Sequence, residues 1–387
     1  VDTLGVFNQV FSIYLLVSQL SVGGIQFSVL KHCSYYQNDI KSCSVITTSA
    51  AVPTFFLSTC IALLLAACAN SIGYLLNSPE VAQGIMWAAP GLVMFSMNKL
   101  LLMYFNGRRM MGHFAFFQAS RYVILFASIT ILILMGCQSS KLALSLTISE
   151  TFVLLSLLLA IITRNYIVLS EFNWVSFVQW IRQHISFGMR GVTSGILIEC
   201  NTKVDLLMVG YFLSDKAVGI YSFAATIAIG YGQLTTILKQ NIDPVLGGYF
   251  VSGEKNKIEH FAKKIRLFTY PVMFIIGSCL IAIYPFILSI IEVSEKLTGS
   301  WQILSILVGG LFLVSGYRGF IGVISQGGRP GIFSLLMLST VITNFLMNGF
   351  LIPLLGVTGA AIATAFVYIF EIIALRYVTQ SLFNIRL

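Results

Sequence analysis

The sequence predicts an all-α polytopic membrane protein built as two pseudo-symmetric helical bundles, and three observations carry that prediction. The 387-residue chain is 57% hydrophobic and only 10% charged, with a mean hydropathy of +0.89. Soluble domains carry about 25% charged residues, and an aqueous core cannot hide so much apolar surface. Eleven stretches approach the roughly 20 apolar residues needed to cross the hydrocarbon of a bilayer. Short motifs also recur at nearly constant offsets in the two halves of the chain.

In chain order the spans are 5–30, 44–73, 84–105, 113–136 and 143–163, then 187–212, 217–241, 267–290, 301–325, 331–353 and 358–378. Between the two groups, residues 164–186 are polar and aromatic. From Trp174 onward their apolar residues recur near helical spacing, as in a helix lying in the membrane interface. The predicted organisation is therefore an N-terminal lobe over 1–163, an interfacial linker over 164–186 and a C-terminal lobe over 187–387.

The basic residues orient the chain. If the first span ends on the cytoplasmic side, 15 of the 23 lysines and arginines fall on that side. Lys141, Lys216 and Lys296 fall on the other, and five lie within spans. This asymmetry is the positive-inside bias, and it places the C-terminus in the cytoplasm. It also accounts for the net charge of +9 without a nucleic-acid partner, since no basic stripe with interleaved aromatics is present. The seven cysteines include no C-x-x-C pair, and the four histidines are scattered, which argues against a metal site. Cys33 and Cys43 flank one loop, but on the cytoplasmic side, where disulfides are disfavoured. No cofactor and no catalytic residue is predicted.

The repeat is read from two matches. Leu4-Gly5-Val6-Phe7 matches Val218-Gly219-Ile220-Tyr221 at an offset of 214, each opening a span after an outer turn. The basic inner connection 106–112 matches 325–331 at an offset of 219. Gly219 follows a whole span, whereas Gly5 follows four residues from a start at Val1, so the repeat predicts that the first span of the N-terminal lobe is missing. Two parallel halves of this kind are a transporter architecture.

Charges within spans cost about 2.5–3.5 kcal/mol each on insertion scales, so they normally face a bundle interior or an aqueous cavity. Lys99 and Arg318 are equivalent at the offset of 219, each 13 residues before the aligned glycine. Matching cations of this kind suit an anion, above all a phosphate; alternatively each snorkels to the inner interface. Arg121 presents the same two choices. Glu199 and Lys203 are spaced i,i+4, either as a neutralising pair or as a coupling and gating site. Asp205 lies four residues after Asn201 near the outer end of its span. Glu150 and Glu371 sit on the last helix of each half, with no partner legible.

The sequence resembles the O-antigen and polysaccharide flippases (Wzx type) of the multidrug/oligosaccharidyl-lipid/polysaccharide exporter superfamily. The resemblance rests on Asp205 with Met208-Val209-Gly210, on Ala217 through Ala224, on Leu4-Gly5-Val6-Phe7 and on Gly356 through Thr364. It implies two six-helix lobes around a central cavity, lined by cations that hold the pyrophosphate of an undecaprenyl-linked oligosaccharide. For that cationic site the positions here are Lys99, Arg318, Arg121 and Lys203, with Glu199, Asp205 and Glu150 as coupling or gating residues. It further implies a bacterial inner-membrane location, contact with membrane lipids, and a polysaccharide polymerase and chain-length regulator as partners. A cation-coupled drug exporter of the same superfamily is the alternative. A membrane-embedded polymerase or glycosyltransferase fits less well, because the outer loops are short and the longest, 291–300, carries no acids beyond Glu292 and Glu295.

Overall fold

The computed structural model describes residues 1–168, 174–290 and 295–387; residues 169–173 of the predicted linker and Glu292 of the outer loop lie outside them. Every regular element among the described residues is helical. The first group is α1 (Asp2–Val22), α2 (Ile25–Tyr35), α3 (Ile40–Leu75), α4 (Pro79–Gly107), α5 (Met111–Leu134) and α6 (Leu144–Thr163), with a short 3-10 turn over Ser139–Ala143. Then come α7 (Trp174–Phe212), α8 (Asp215–Val251), α9 (Lys255–Ile290), α10 (Ser300–Arg318), α11 (Val323–Gln326), α12 (Pro330–Leu355) and α13 (Val357–Phe383). Ten helical segments among the described residues are long and apolar enough to cross a membrane. The remaining expected span, 187–212, forms the later part of α7, where Glu199, Lys203 and Asp205 make the stretch more polar.

Contacts divide the chain into two compact units. One is Val6–Cys200, and the other combines Val1–Gly5 with Asn201–Leu387. The apolar windows of α4 and of α10–α11 are each 61% buried, whereas those of α3 and α9 are each 22% buried. The helices that carry Lys99 and Arg318 are thus the most buried, inner apolar helix of their own unit.

Two features depart from the predicted spans. The first span is broken: Gly23 and Gly24 adopt positive φ (58° and 72°) and end α1 before α2 begins. A left-handed pair of this sort is a conformation glycine adopts without steric cost. Gly24 and Gly188 admit the close approach of α7: a Cβ on Gly24 would lie 2.7 Å from the Gly188 carbonyl oxygen, and one on Gly188 would lie 2.2 Å from the Gly23 carbonyl oxygen. The linker departs too. From Trp174 its helix runs without interruption into the expected span 187–212.

His184 fixes the start of α7 to α2 and α3. Its ring is fully buried; Nε2–H donates to the Ile46 carbonyl at 3.0 Å and Nδ1 lies 2.9 Å from the Ser28 hydroxyl. Trp180 stacks on His184 and meets His32 edge-on. Burial holds the imidazole pKa down at about 4, against the opposing pull of the Ile46 bond. The folded state therefore binds fewer protons than the unfolded state between about pH 4 and 6.5, the unfolded imidazole value. The contribution of His184 to stability is complete above that window and declines as pH falls through it. His184→Ala is expected to cost about 1–3 kcal/mol at neutral pH by leaving buried polar groups unpaired and to flatten this acid limb, as read from thermal unfolding in detergent between pH 4 and 7.

Candidate functional site

In the first unit, one face of α4 assembles a polar cluster. Phe95, Asn98 and Lys99 are spaced i, i+3, i+4 and so project together. The Phe95 ring carries two cations, with Lys99 Nζ 4.5 Å and the Arg121 guanidinium 4.7 Å from its centroid, and Tyr14 packs against the same ring. Arg121 does not snorkel. It is buried on α5, and its Nε lies 2.8 Å from Oε1 of Glu150 on α6, which supplies the partner that the sequence left unidentified. Asn98 donates to the other carboxylate oxygen of Glu150 at 2.9 Å. Lys99 donates to the Ser18 hydroxyl at 3.0 Å. No carboxylate pairs with it directly among the described residues, although Glu199 and Glu150 act on it at longer range. Glu199 accepts from Gln19 Nε2 at 3.4 Å.

In the second unit a cavity of about 190 Å³ is lined by Asn201, Asp205, Tyr221, Gln233, Arg318 and Tyr368, among others. Arg318 lies over the Tyr368 ring at 4.9 Å, with the buried Glu371 within electrostatic reach. Asp205, 8% exposed, accepts a hydrogen bond from Tyr221 and another from Thr364 at 3.3 Å. Around it, Asn344 donates to the Asn201 carbonyl at 3.3 Å, and Asn348 donates to Asn344 Oδ1 at 2.5 Å. Lys203 does not line the cavity; its charge reaches Asp205.

The predicted residues thus fall into two groups. Lys99, Arg121, Glu150 and Glu199 gather in the first unit, while Arg318 and Asp205 share the cavity of the second. Sequence reasoning missed Phe95, Asn98 and Tyr368. It placed Tyr221 and Thr364 within motifs without assigning them a role, and their hydroxyls on Asp205 give them one. An oxygen-only set around a carboxylate suits a proton or a hard cation, not a transition metal. Among the described residues no cluster of three or more His, Cys, Asp or Glu is placed to hold a metal.

Apolar helices that bury cations and carboxylates in this way define a multi-pass membrane protein of transporter architecture. A family model described as polysaccharide biosynthesis protein matches residues 2–249, and the chain belongs to that family. Its fold is shared with the solved lipid II flippase MurJ in an inward closed conformation, at a TM-score of 0.72 and 14% identity over 98% of this chain and 85% of that one. It is also shared with the eukaryotic MATE transporter AtDTX14, at 0.60 and 14% identity over 96% and 93% of the two chains. An outward-facing multidrug resistance MATE transporter of the MOP superfamily matches at 0.61 and 14% identity over 98% and 86%. No curated protein matches the sequence at a significant level. The family and the fold agree with the Wzx-type resemblance within that superfamily.

Proposed function

We propose that this protein moves an undecaprenyl-pyrophosphate-linked oligosaccharide, an O-antigen or related repeat unit, from the cytoplasmic to the periplasmic leaflet of the bacterial inner membrane. One observation carries the reading. The inner helix of each unit presents an equivalent cation, Lys99 or Arg318, that no carboxylate pairs with directly among the described residues. By contrast, Glu150 neutralises Arg121. A cation without a directly paired carboxylate suits a phosphate group, and each unit supplies one at a repeat-related position. The polysaccharide biosynthesis family supports the cargo class, and the lipid II flippase shares the fold. Asp205 and Glu371 are the coupling groups in this proposal, because both are buried carboxylates in the unit that holds Arg318.

The test is replacement of Lys99 and Arg318 by Ala, singly and together, at matched protein level, with surface polysaccharide as the readout. Removing a charge-assisted phosphate contact costs about tenfold, so each single variant is expected to lose about that much display and the double variant nearly all of it. Unchanged display in the double variant would sink the proposal. The buried carboxylates also fit a cation-coupled drug exporter, the second reading. That reading predicts loss of dye efflux in Asp205→Asn with display intact.

A further inference from the structure

A second cationic site lies at the basic end of the C-terminal unit, outside the cavity that Arg318 lines. Tyr317, next to last in α10, is covered by two arginines. Arg266 of α9 lies over its ring at 4.8 Å and donates Nη1–H to its hydroxyl at 2.7 Å. Arg376 of α13 lies over the same ring at 5.1 Å. Neither arginine pairs with a carboxylate among the described residues, and none of the three residues lines the polar cavity. The arrangement depends on the missing side chain at Gly316. A Cβ there would meet Tyr270 Cε2 at 2.6 Å and Arg266 Cγ at 2.9 Å, so glycine is what lets both side chains lie against α10.

The surroundings identify the ligand. Leu267 and Phe268 on α9 and Ile373 and Tyr377 on α13 are 62–80% exposed, so the site opens beside side chains that face lipid. Lys263 and Lys264, one turn before Leu267, are exposed too. Two guanidiniums gathered on one ring repel each other, and a bound anion relieves that repulsion. Their planar forks match phosphate oxygens bidentately, and the ring contacts hold them in place beforehand. Tyr317 already accepts from Arg266 and keeps its own proton to donate. We propose that Arg266, Tyr317 and Arg376 bind the phosphodiester of an anionic bilayer phospholipid.

The full chain in neutral detergent is titrated with dioleoylphosphatidylglycerol, following the midpoint of thermal unfolding. Dioleoylphosphatidylcholine serves as the zwitterionic control and undecaprenyl phosphate as the isoprenoid arm. A saturable rise with the anionic phospholipid is expected, with little response to the zwitterionic one. Arg266→Gln and Arg376→Gln should each weaken binding about fivefold, and the double variant more than twentyfold. Arg376 is exposed, so its single variant reads the site even if the double variant does not fold. Wild-type affinity in Arg376→Gln, or equal stabilisation by phosphatidylcholine, would overturn the assignment. So would variants that lose only undecaprenyl phosphate, because the site would then serve the carrier lipid instead of a bilayer lipid.

Discussion

Replacing Glu150 with Ala is expected to destabilise the protein by about 3–5 kcal/mol, the cost of leaving one member of a buried ion pair uncompensated. The side chains of Arg121 and Glu150 are 9% and 4% exposed, so solvent offers the stranded guanidinium little relief. Asn98 loses its carboxylate acceptor in the same step. The Arg121 guanidinium then stays over Phe95, with its hydrogen bond to the Gln118 side chain kept. A double variant, Arg121→Leu with Glu150→Leu, separates charge from packing. Removing both charges together is often neutral or stabilising, so the double variant should recover most of what the single one loses. Denaturant or thermal unfolding of the purified protein in detergent measures both. A single variant within about 1 kcal/mol of wild type would show that the pair is hydrated and not buried, against the usual cost of stranding a buried charge.

That ion pair illustrates which part of the molecule is legible in the sequence. The spans are legible because hydropathy responds directly to the bilayer. The rotation of each helix about its axis is not. In lipid the outward face is as apolar as the inward one, so periodicity does not separate them. Arg121 and Glu150 are 29 positions apart on neighbouring helices, and no spacing rule connects them. Phe95, Asn98 and Lys99 do share a face by spacing, but their roles depend on which side chains α1, α5 and α6 bring to that face. Likewise, Tyr221 and Thr364 stand within the motifs, yet only tertiary packing turns both hydroxyls toward Asp205. The break of the first span at Gly23 and Gly24 is likewise a backbone feature, both at positive φ, within an otherwise apolar stretch.

The repeat itself produces the other large effect. The two copies of the motif cross at their glycines. A Cβ on Gly5 would lie 1.8 Å from the Asp215 carbonyl oxygen, and one on Gly219 would lie 2.3 Å from the Val1 carbonyl oxygen. Both obstacles are backbone, so no rotamer change relieves them and the helices must separate. Gly5→Ala and Gly219→Ala are therefore each expected to destabilise by about 3 kcal/mol, at the upper end of overpacking costs. The control lies on the same helix as Gly219. A Cβ on Gly230 would meet nothing within 4 Å, so Gly230→Ala should be neutral or stabilising by up to about 1 kcal/mol through helix propensity. The same substitution thus takes opposite signs eleven residues apart on α8, a contrast that composition and propensity alone do not produce. Thermal unfolding of the three variants in one detergent decides it. If Gly5→Ala or Gly219→Ala matched Gly230→Ala, the close crossing of the two motif copies would be excluded, and their likeness would be a matter of sequence descent without a shared contact.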